Sequence, residues 1–452
     1  MRALSVTLVV ALAGCSVGPK YERPVIDLPT TYAEPAAKGE AISVPADWWT
    51  LYHDPLLDDF VRAGLERNAD VREASARVEE AEAVLREAHA TLFFPLVMGN
   101  AGVTRSATQD AGVRTGYALG LFTSFELDIW GRLRSAESAT REQLLASKYA
   151  RDTVAMTLAA TIARTYFAAL SLDSQYAASD EILRTAADSE SLAKKRADAG
   201  IASQIEVYQA GSLRTAASAQ AKEIARQRAV VIHQLGALTG RSGLKLTAGD
   251  VTTLPLVPVP PVGLPSQLLE RRPDVRATEA GLIAATHRIG VARAEQFPAL
   301  SLNGSVGTQS GLVQSVFTPG AKVWSVGANV LGPIIDGGRY AARTEQAEAQ
   351  AKQAQAAYQR SVETAFREVA DGLSNLRLAG ESEADLKARV DAARHTVQLA
   401  QQRYERGYSA YLEVLDAQRT LNEALLAFIR NRQAYLSYSV DLMNALGGGW
   451  TT

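Results

Sequence analysis

The chain has 452 residues, with 47 Lys and Arg against 49 Asp and Glu, a formal net charge of −2 and 47% hydrophobic residues. That length allows one large domain or two or three ordinary ones, and the balanced charge excludes the basic surface that nucleic acid requires. A single cysteine, Cys15, excludes an intrachain disulfide, and after the first fourteen residues no uninterrupted run of eighteen apolar residues offers a transmembrane helix.

At the N-terminus, Arg2 precedes an apolar run from Ala3 to Val10 that ends in small residues, which reads as a secretion signal over residues 1–14. Its end, Leu12-Ala13-Gly14-Cys15, resembles the bacterial lipobox. That resemblance implies cleavage before Cys15, which would carry S-diacylglycerol and N-palmitoyl chains, and Ser16 at the next position implies the outer membrane. Residues 15–64 read as a lipidated arm and equatorial segment. Between Ser16 and Asp47 the arm has Pro and Gly but no periodicity, so it is expected to pack in extended form.

From residue 65 the text is written twice. Leu65-Glu66-Arg67-Asn68-Ala69-Asp70-Val71-Arg72 returns as Leu269-Glu270-Arg271-Arg272-Pro273-Asp274-Val275-Arg276. Phe94-Pro95 then matches Phe297-Pro298, Gly131-Arg132 matches Gly338-Arg339, and Gly200 with Glu206-Val207 matches Gly407 with Glu413-Val414. The copies span residues 65–240 and 269–452, joined by a Pro-rich linker over 241–268.

All sixteen prolines lie at or before Pro333, and none falls from Leu96 to Leu254 or from Ile334 to the end. A proline inside a helix costs about 3 kcal/mol, so these stretches, rich in Ala, Glu, Gln, Arg and Leu, permit long helices. The pattern predicts one from Arg132 to Ala199 and its counterpart from Arg339 to Arg406, each about 100 Å long at 1.5 Å per residue. Shorter helices are predicted over Leu65–Leu92 and Ser203–Thr239 in the first copy, and over Pro273–Gln296 and Ala410–Leu446 in the second. In the last, Val414, Leu421, Phe428, Tyr435 and Leu442 recur every seven residues beside Leu415, Ile429, Leu436 and Met443, which is coiled-coil spacing.

Two strands are predicted per copy, over Val97–Thr104, Thr115–Phe125, Leu300–Val306 and Trp324–Val330. Tyr117, Leu119 and Leu121 alternate with Ala118 and Gly120, as Trp324 and Val326 alternate with Ser325 and Gly327. Large apolar residues on one face and small or polar ones on the other is the pattern of a barrel strand between lipid and water. Four strands cannot close a barrel, since the smallest have about eight, so closure requires further chains. The fold class is mostly α with a small β part and internal duplication.

These parts resemble the TolC-type outer-membrane efflux proteins, and among them the lipoprotein branch serving RND drug pumps. The resemblance rests on Val17-Gly18-Pro19 with Tyr21 and Pro24, Trp48-Trp49 before Asp54-Pro55-Leu56, Arg271-Arg272-Pro273-Asp274-Val275, and Gly290-Val291-Ala292-Arg293-Ala294 leading to Phe297-Pro298. It implies a homotrimer, with a twelve-strand transmembrane β-barrel in outer-membrane lipid continued by a twelve-helix periplasmic α-barrel. The implied partners are a periplasmic adaptor and an inner-membrane RND pump. The match places Glu413 and Asp416 at an acidic periplasmic gate, three residues apart on one helix face, and sets Tyr404 against Glu206 as a closing hydrogen bond. Ser409 stands where some relatives carry an arginine. The turns at Gly200, Ile201, Ala202 and Ser203 and at Gly407, Tyr408, Ser409 and Ala410 are the implied adaptor contacts. Asp128 and Asp336, before Gly131 and Gly338, read as caps at the strand-to-helix turns.

An enzyme finds little support. His53, His89, His233, His287 and His395 are scattered without metal-ligand spacing, no phosphate loop or Gly-x-Ser-x-Gly occurs, and no cofactor or metal is expected besides the lipid. The expected function is passive, gated export of small molecules. The alternatives are a type I protein-secretion channel and, from another class, a periplasmic coiled-coil lipoprotein that forms no pore.

Overall fold

A computed structural model describes residues 17–27, 29, 45–108, 112–256 and 271–448, and the signal segment, Cys15 and residues 257–270 of the linker lie outside the described residues. The chain divides into two compact units, one of residues 1–26, 75–149 and 276–361 and the other of residues 27–74, 150–275 and 362–452.

The first unit is organised by a sheet of β1 (Leu96–Thr108), β2 (Gly112–Leu127), β3 (Ala299–Ser310) and β4 (Lys322–Leu331), antiparallel throughout and in chain order. The register pairs Leu121 with Val306, Leu302 with Ala328, and Val306 with Trp324, while Val103 lies opposite Tyr117. Because side chains alternate with a period of two, this register puts most of the apolar residues of the four predicted strands on one face, with Met98 and Phe122 on the other. Most of them are exposed there, Trp324 at 78%. The other face carries Ser301, Asn303, Ser305 and Gly307, and Ser305 and Ser325 share a hydrogen bond of 2.8 Å across it. Within the described residues β1 pairs only with β2 and β4 only with β3, so both outer edges are open.

Each hairpin leads into a long helix through a glycine with positive φ. Gly131 (φ 76°) precedes α3 (Arg132–Asp198), and Gly338 (φ 84°) precedes α6 (Arg339–Glu405). Asp128 accepts from the Leu133 and Arg134 amides, both at 2.9 Å, and Asp336 from those of Gly338 and Tyr340. The two aspartates thus satisfy amides that a helix start leaves unpaired. In the same unit, the described part of the arm has no regular structure. It is tied down by Arg23 and Tyr21, which both donate to Glu279, Arg23 in two bonds of 2.6 and 2.9 Å. Burial, then Glu279, push the Tyr21 phenol upward from its ordinary pKa.

The predicted helix Leu65–Leu92 is corrected to two, α1 (Pro55–Arg67), in the second unit, and α2 (Ala69–Phe93), which begins in the second unit and runs on in the first. The break is Asn68, in extended conformation, whose Oδ1 accepts from Asp70 N at 2.8 Å. An asparagine prefers this capping role to a helix interior. The start of α1 is marked by Asp54, which caps Leu56 N and Leu57 N, with Pro55 at the first helical position. The remaining helices are α4 (Gln204–Leu238) and α7 (Tyr411–Ala445) in the second unit and α5 (Pro273–Ala294), nearly all of it in the first, all close to their predicted bounds.

Towards the C-terminal end of α7 its two seven-residue columns serve different cores. Tyr435 and Leu442 pack with Val369, Leu373 and Leu376 of α6, whereas Ile429, Leu436 and Met443 join Ile162, Tyr166 and Phe167 of α3 under Trp48 and Tyr52. By length and composition α3 is apolar enough to cross a membrane, a correction to the sequence expectation, but 61% of its most apolar stretch is buried against protein.

Each copy also fastens its own ends. Asn68 Nδ2 donates to the carbonyl of Leu238, the last residue of α4, at 3.1 Å, and Arg272 Nη1 donates to that of Ala445, the last residue of α7, at 3.2 Å. Just beyond, Gly240 lies against Arg67 and Gly447 against Arg271. A Cβ on Gly447 would stand 2.6 Å from Arg271 O.

Candidate functional site

The predicted site residues fall in the second unit, at the turns that follow α3 and α6. In the first, Gly200 has φ 73°, its amide donates to Ala197 O at 2.9 Å, and Ile201 N donates to Arg196 O at 2.8 Å. In the second, Gly407 has φ 78°, with Gly407 N to Tyr404 O at 3.0 Å and Tyr408 N to Arg403 O at 2.8 Å. Both are Schellman caps, which need a left-handed residue that glycine adopts without strain. Ser203 then caps α4 by accepting from Ile205 N, while Ala410 offers α7 no side-chain cap. The turns leave apolar side chains in the open, Ile201 and Ile205 at one and Tyr408 and Leu412 at the other, all more than half exposed. Gly200, Ala202, Gly407 and Ala410 keep the backbone there uncluttered.

Behind these turns Tyr404 Oη donates to Glu206 Oε2 at 3.0 Å, joining α6 to α4. The Arg196 guanidinium lies 4.5 Å from the Tyr404 ring centre, and the Tyr404 and Tyr411 rings lie 5.2 Å apart. Ala193, Ala210, Ala400 and Ala417 pack around them with Val414, their small side chains allowing close helix approach. Burial, and then the bond to Glu206, push the Tyr404 phenol up to about 12. It therefore stays a donor at neutral pH.

Glu413 and Asp416 do not stand free. Arg403 Nε approaches Glu413 Oε1 at 3.3 Å, and Arg419 Nη2 donates to Asp416 Oδ1 at 2.8 Å. Both pairs are exposed, so each stabilises by at most about 1 kcal/mol and is open to exchange. Sequence reasoning missed these two arginines. Arg419 was readable, being three residues from Asp416, but Arg403 reaches Glu413 only because the Schellman turn folds the chain back. Arg196 and Arg403 each stand four residues before their tip glycine, yet the first stacks on Tyr404 and the second meets a carboxylate. Ser409 Oγ is buried with no hydrogen-bond partner among the described residues. The described residues hold no group of three or more His, Cys, Asp or Glu suited to a metal.

Known proteins carry the same parts. The toluene efflux pump outer membrane protein TtgF of Pseudomonas putida is 35% identical over 468 residues, covering 99% of this chain and 96% of that protein. Outer membrane protein OprJ of Pseudomonas aeruginosa is 33% identical, with coverages of 98% and 95%. Among solved structures, the open state of the MtrE outer membrane channel of Neisseria gonorrhoeae superposes with a TM-score of 0.87 at 29% identity, covering 96% of this chain and 98% of that one. The outer membrane efflux protein family matches residues 61–241 and 264–448. With its open sheet and paired Schellman tips in the two matched segments, the chain belongs to the outer membrane efflux protein family.

Proposed function

We propose that this chain is the lipid-anchored outer-membrane channel of a tripartite efflux system, a passive conduit through which small toxic molecules leave the cell. The observation that carries this reading is the open four-stranded sheet with one exposed apolar face. In a bilayer, unpaired backbone groups at a sheet edge cost several kcal/mol each, so a spanning sheet must close. The described strands run from 10 to 16 residues, enough for the roughly 9–11 that a tilted membrane strand needs. Three copies, joined β4 to β1, would supply twelve strands. Relatives named for toluene and solvent efflux pumps support the export role and an arrangement with a periplasmic adaptor and an inner-membrane pump. The exposed apolar tips at Ile201 and Tyr408 suit an adaptor, and Tyr404 with Glu206 suits a latch holding the helices closed. Glu413 and Asp416 then form the acidic constriction, with Arg403 and Arg419 as partners that an entering cation displaces.

Planar-bilayer recording tests the conduit. The reconstituted protein is expected to conduct as a trimer, and the Glu413→Ala, Asp416→Ala double variant to pass more cation current or to lose block by divalent ions. Absence of conductance in both proteins defeats the channel reading; unchanged conductance and block in the variant defeats the acidic constriction alone. The anchor rests on Leu12-Ala13-Gly14-Cys15, and the mature N-terminal peptide is expected to begin at Cys15 with the mass of a diacylglyceryl and a palmitoyl group added. An unmodified Cys15 in that peptide rejects lipidation.

A further inference from the structure

The apolar face of the four-stranded sheet carries two charged side chains among its described residues, Arg105 of β1 and Lys322 of β4. Both are cations, and both are exposed. No acidic residue of the four strands shares that face, because Glu126 of β2, like a third cation, Arg114, alternates onto the other one. Among the described residues neither the Arg105 nor the Lys322 side chain has a hydrogen-bond or ion-pair partner.

Their positions agree as well as their signs. Lys322 opens β4 and Arg105 stands near the end of β1, so both sit at the hairpin end of the sheet, away from the ends that lead into α3 and α6. On the same face Lys322 is followed by Trp324, Val326, Ala328 and Val330, and Arg105 is preceded by Val103, Ala101, Gly99 and Val97, with Tyr117 opposite Val103. Each cation therefore tops an uncharged row, with an aromatic ring at the level of its first step. At 3.4 Å per residue and a tilt near 40°, such a row is about 20 Å tall, close to the roughly 25 Å apolar band of an outer-membrane barrel, whose edges are marked by aromatic girdles. That sets both cations at headgroup level, where Lys and Arg meet phosphate as charge-assisted donors.

We propose that the phosphate of an outer-leaflet lipid binds where two copies meet, held by Lys322 on β4 of one copy and Arg105 on β1 of the next, while its acyl chains lie against Trp324, Val326 and Val103. The site rests on the reading that three copies close one barrel, β4 onto β1, since only that closure brings the two cations onto adjoining strands. Chains and lipids are counted separately in its test, so a trimer without lipid rejects the site and leaves the barrel standing.

The probe is diphosphoryl lipid A, added to the full-length protein in detergent and counted by native mass spectrometry, with fully dephosphorylated lipid A as the matched lipid lacking phosphate. The wild type is expected to fly as a trimer that holds one phosphorylated lipid per seam and to prefer it over the dephosphorylated form by roughly tenfold or more, as two charge-assisted contacts allow. The double variant Arg105→Gln, Lys322→Gln should remain trimeric and lose that preference. Arg114→Gln removes a cation from the same hairpin on the opposite face and should keep it. Inorganic phosphate at the lipid's concentration should not displace the lipid. A wild-type trimer without the preference overturns the proposal, and so does a preference kept by the double variant or lost in Arg114→Gln. Should the double variant fail to assemble, the wild-type preference and the Arg114→Gln result still decide. Displacement by inorganic phosphate assigns the cations to a free ion and overturns the lipid, and a wild-type monomer overturns both the site and the three-copy barrel.

Discussion

Gly307→Val is expected to part β2 from β3 and to leave the protein unassembled. Gly307 sits opposite Gly120 in the register, and a Cβ on it would stand 2.4 Å from Leu119 O and 2.7 Å from the Gly120 Cα. Both obstacles are backbone, so no rotamer change relieves them and the strands must separate. Overpacking by a side chain costs about 1–3 kcal/mol, and a clash with backbone at a paired strand belongs at or above the top of that range. The position matters because β2–β3 is the one ladder that joins the two hairpins, β1–β2 and β3–β4, in the described sheet. Gly116→Val is the control. It lies on the same strand face as Gly120, yet an added Cβ meets nothing within 4 Å. Protease-resistant protein in the outer-membrane fraction should be lost for Gly307→Val and kept for Gly116→Val, and equal yields would show that the glycine pair is dispensable.

Arg272→Met should be the most damaging change in the helical unit. The Arg272 side chain is 5% exposed and donates to Asp274 at 3.0 and 2.7 Å, to Glu368 at 2.7 Å and to the Ala445 carbonyl. Methionine fills a similar volume but leaves two carboxylates and a helix-end carbonyl without this donor. Removing one member of a buried ion pair costs about 3–5 kcal/mol, and because Asp274 and Glu368 keep partial solvent access the lower figure, about 3 kcal/mol, is expected. At the equivalent place in the first copy, Asn68→Ala removes a cap and one neutral bond, for about 1 kcal/mol. Denaturant midpoints in detergent should therefore fall well below wild type for Arg272→Met and only slightly for Asn68→Ala; the reverse order contradicts this account.

Elements whose cause is periodic were legible in the sequence. The α7 columns, the four alternating strands and the proline-free helices all follow from spacing alone, and the copies checked one another. Asn68 was not legible as a break, because its neighbours Glu66, Arg67 and Ala69 are all good helix formers and the capping bond to Asp70 N becomes visible only in three dimensions. The site was half legible. Tyr404 and Glu206 are 198 residues apart, and only the resemblance to a known family brought them together. Arg403 beside Glu413 depends on the handedness of one turn.

The bonds from Asn68 to Leu238 and from Arg272 to Ala445 mean that each copy finishes beside the point where it began. A segment built that way can be followed by a second one with only a short connector, because the chain has no distance to recover before starting again. The entropy of bringing the ends together is settled inside each copy, and it grows only slowly with the residues between them. Tolerance for insertions should therefore lie along the arms of each copy, where added residues lengthen a circuit already closed, and not at Arg67–Asn68 or Arg271–Arg272, where the circuit is fastened.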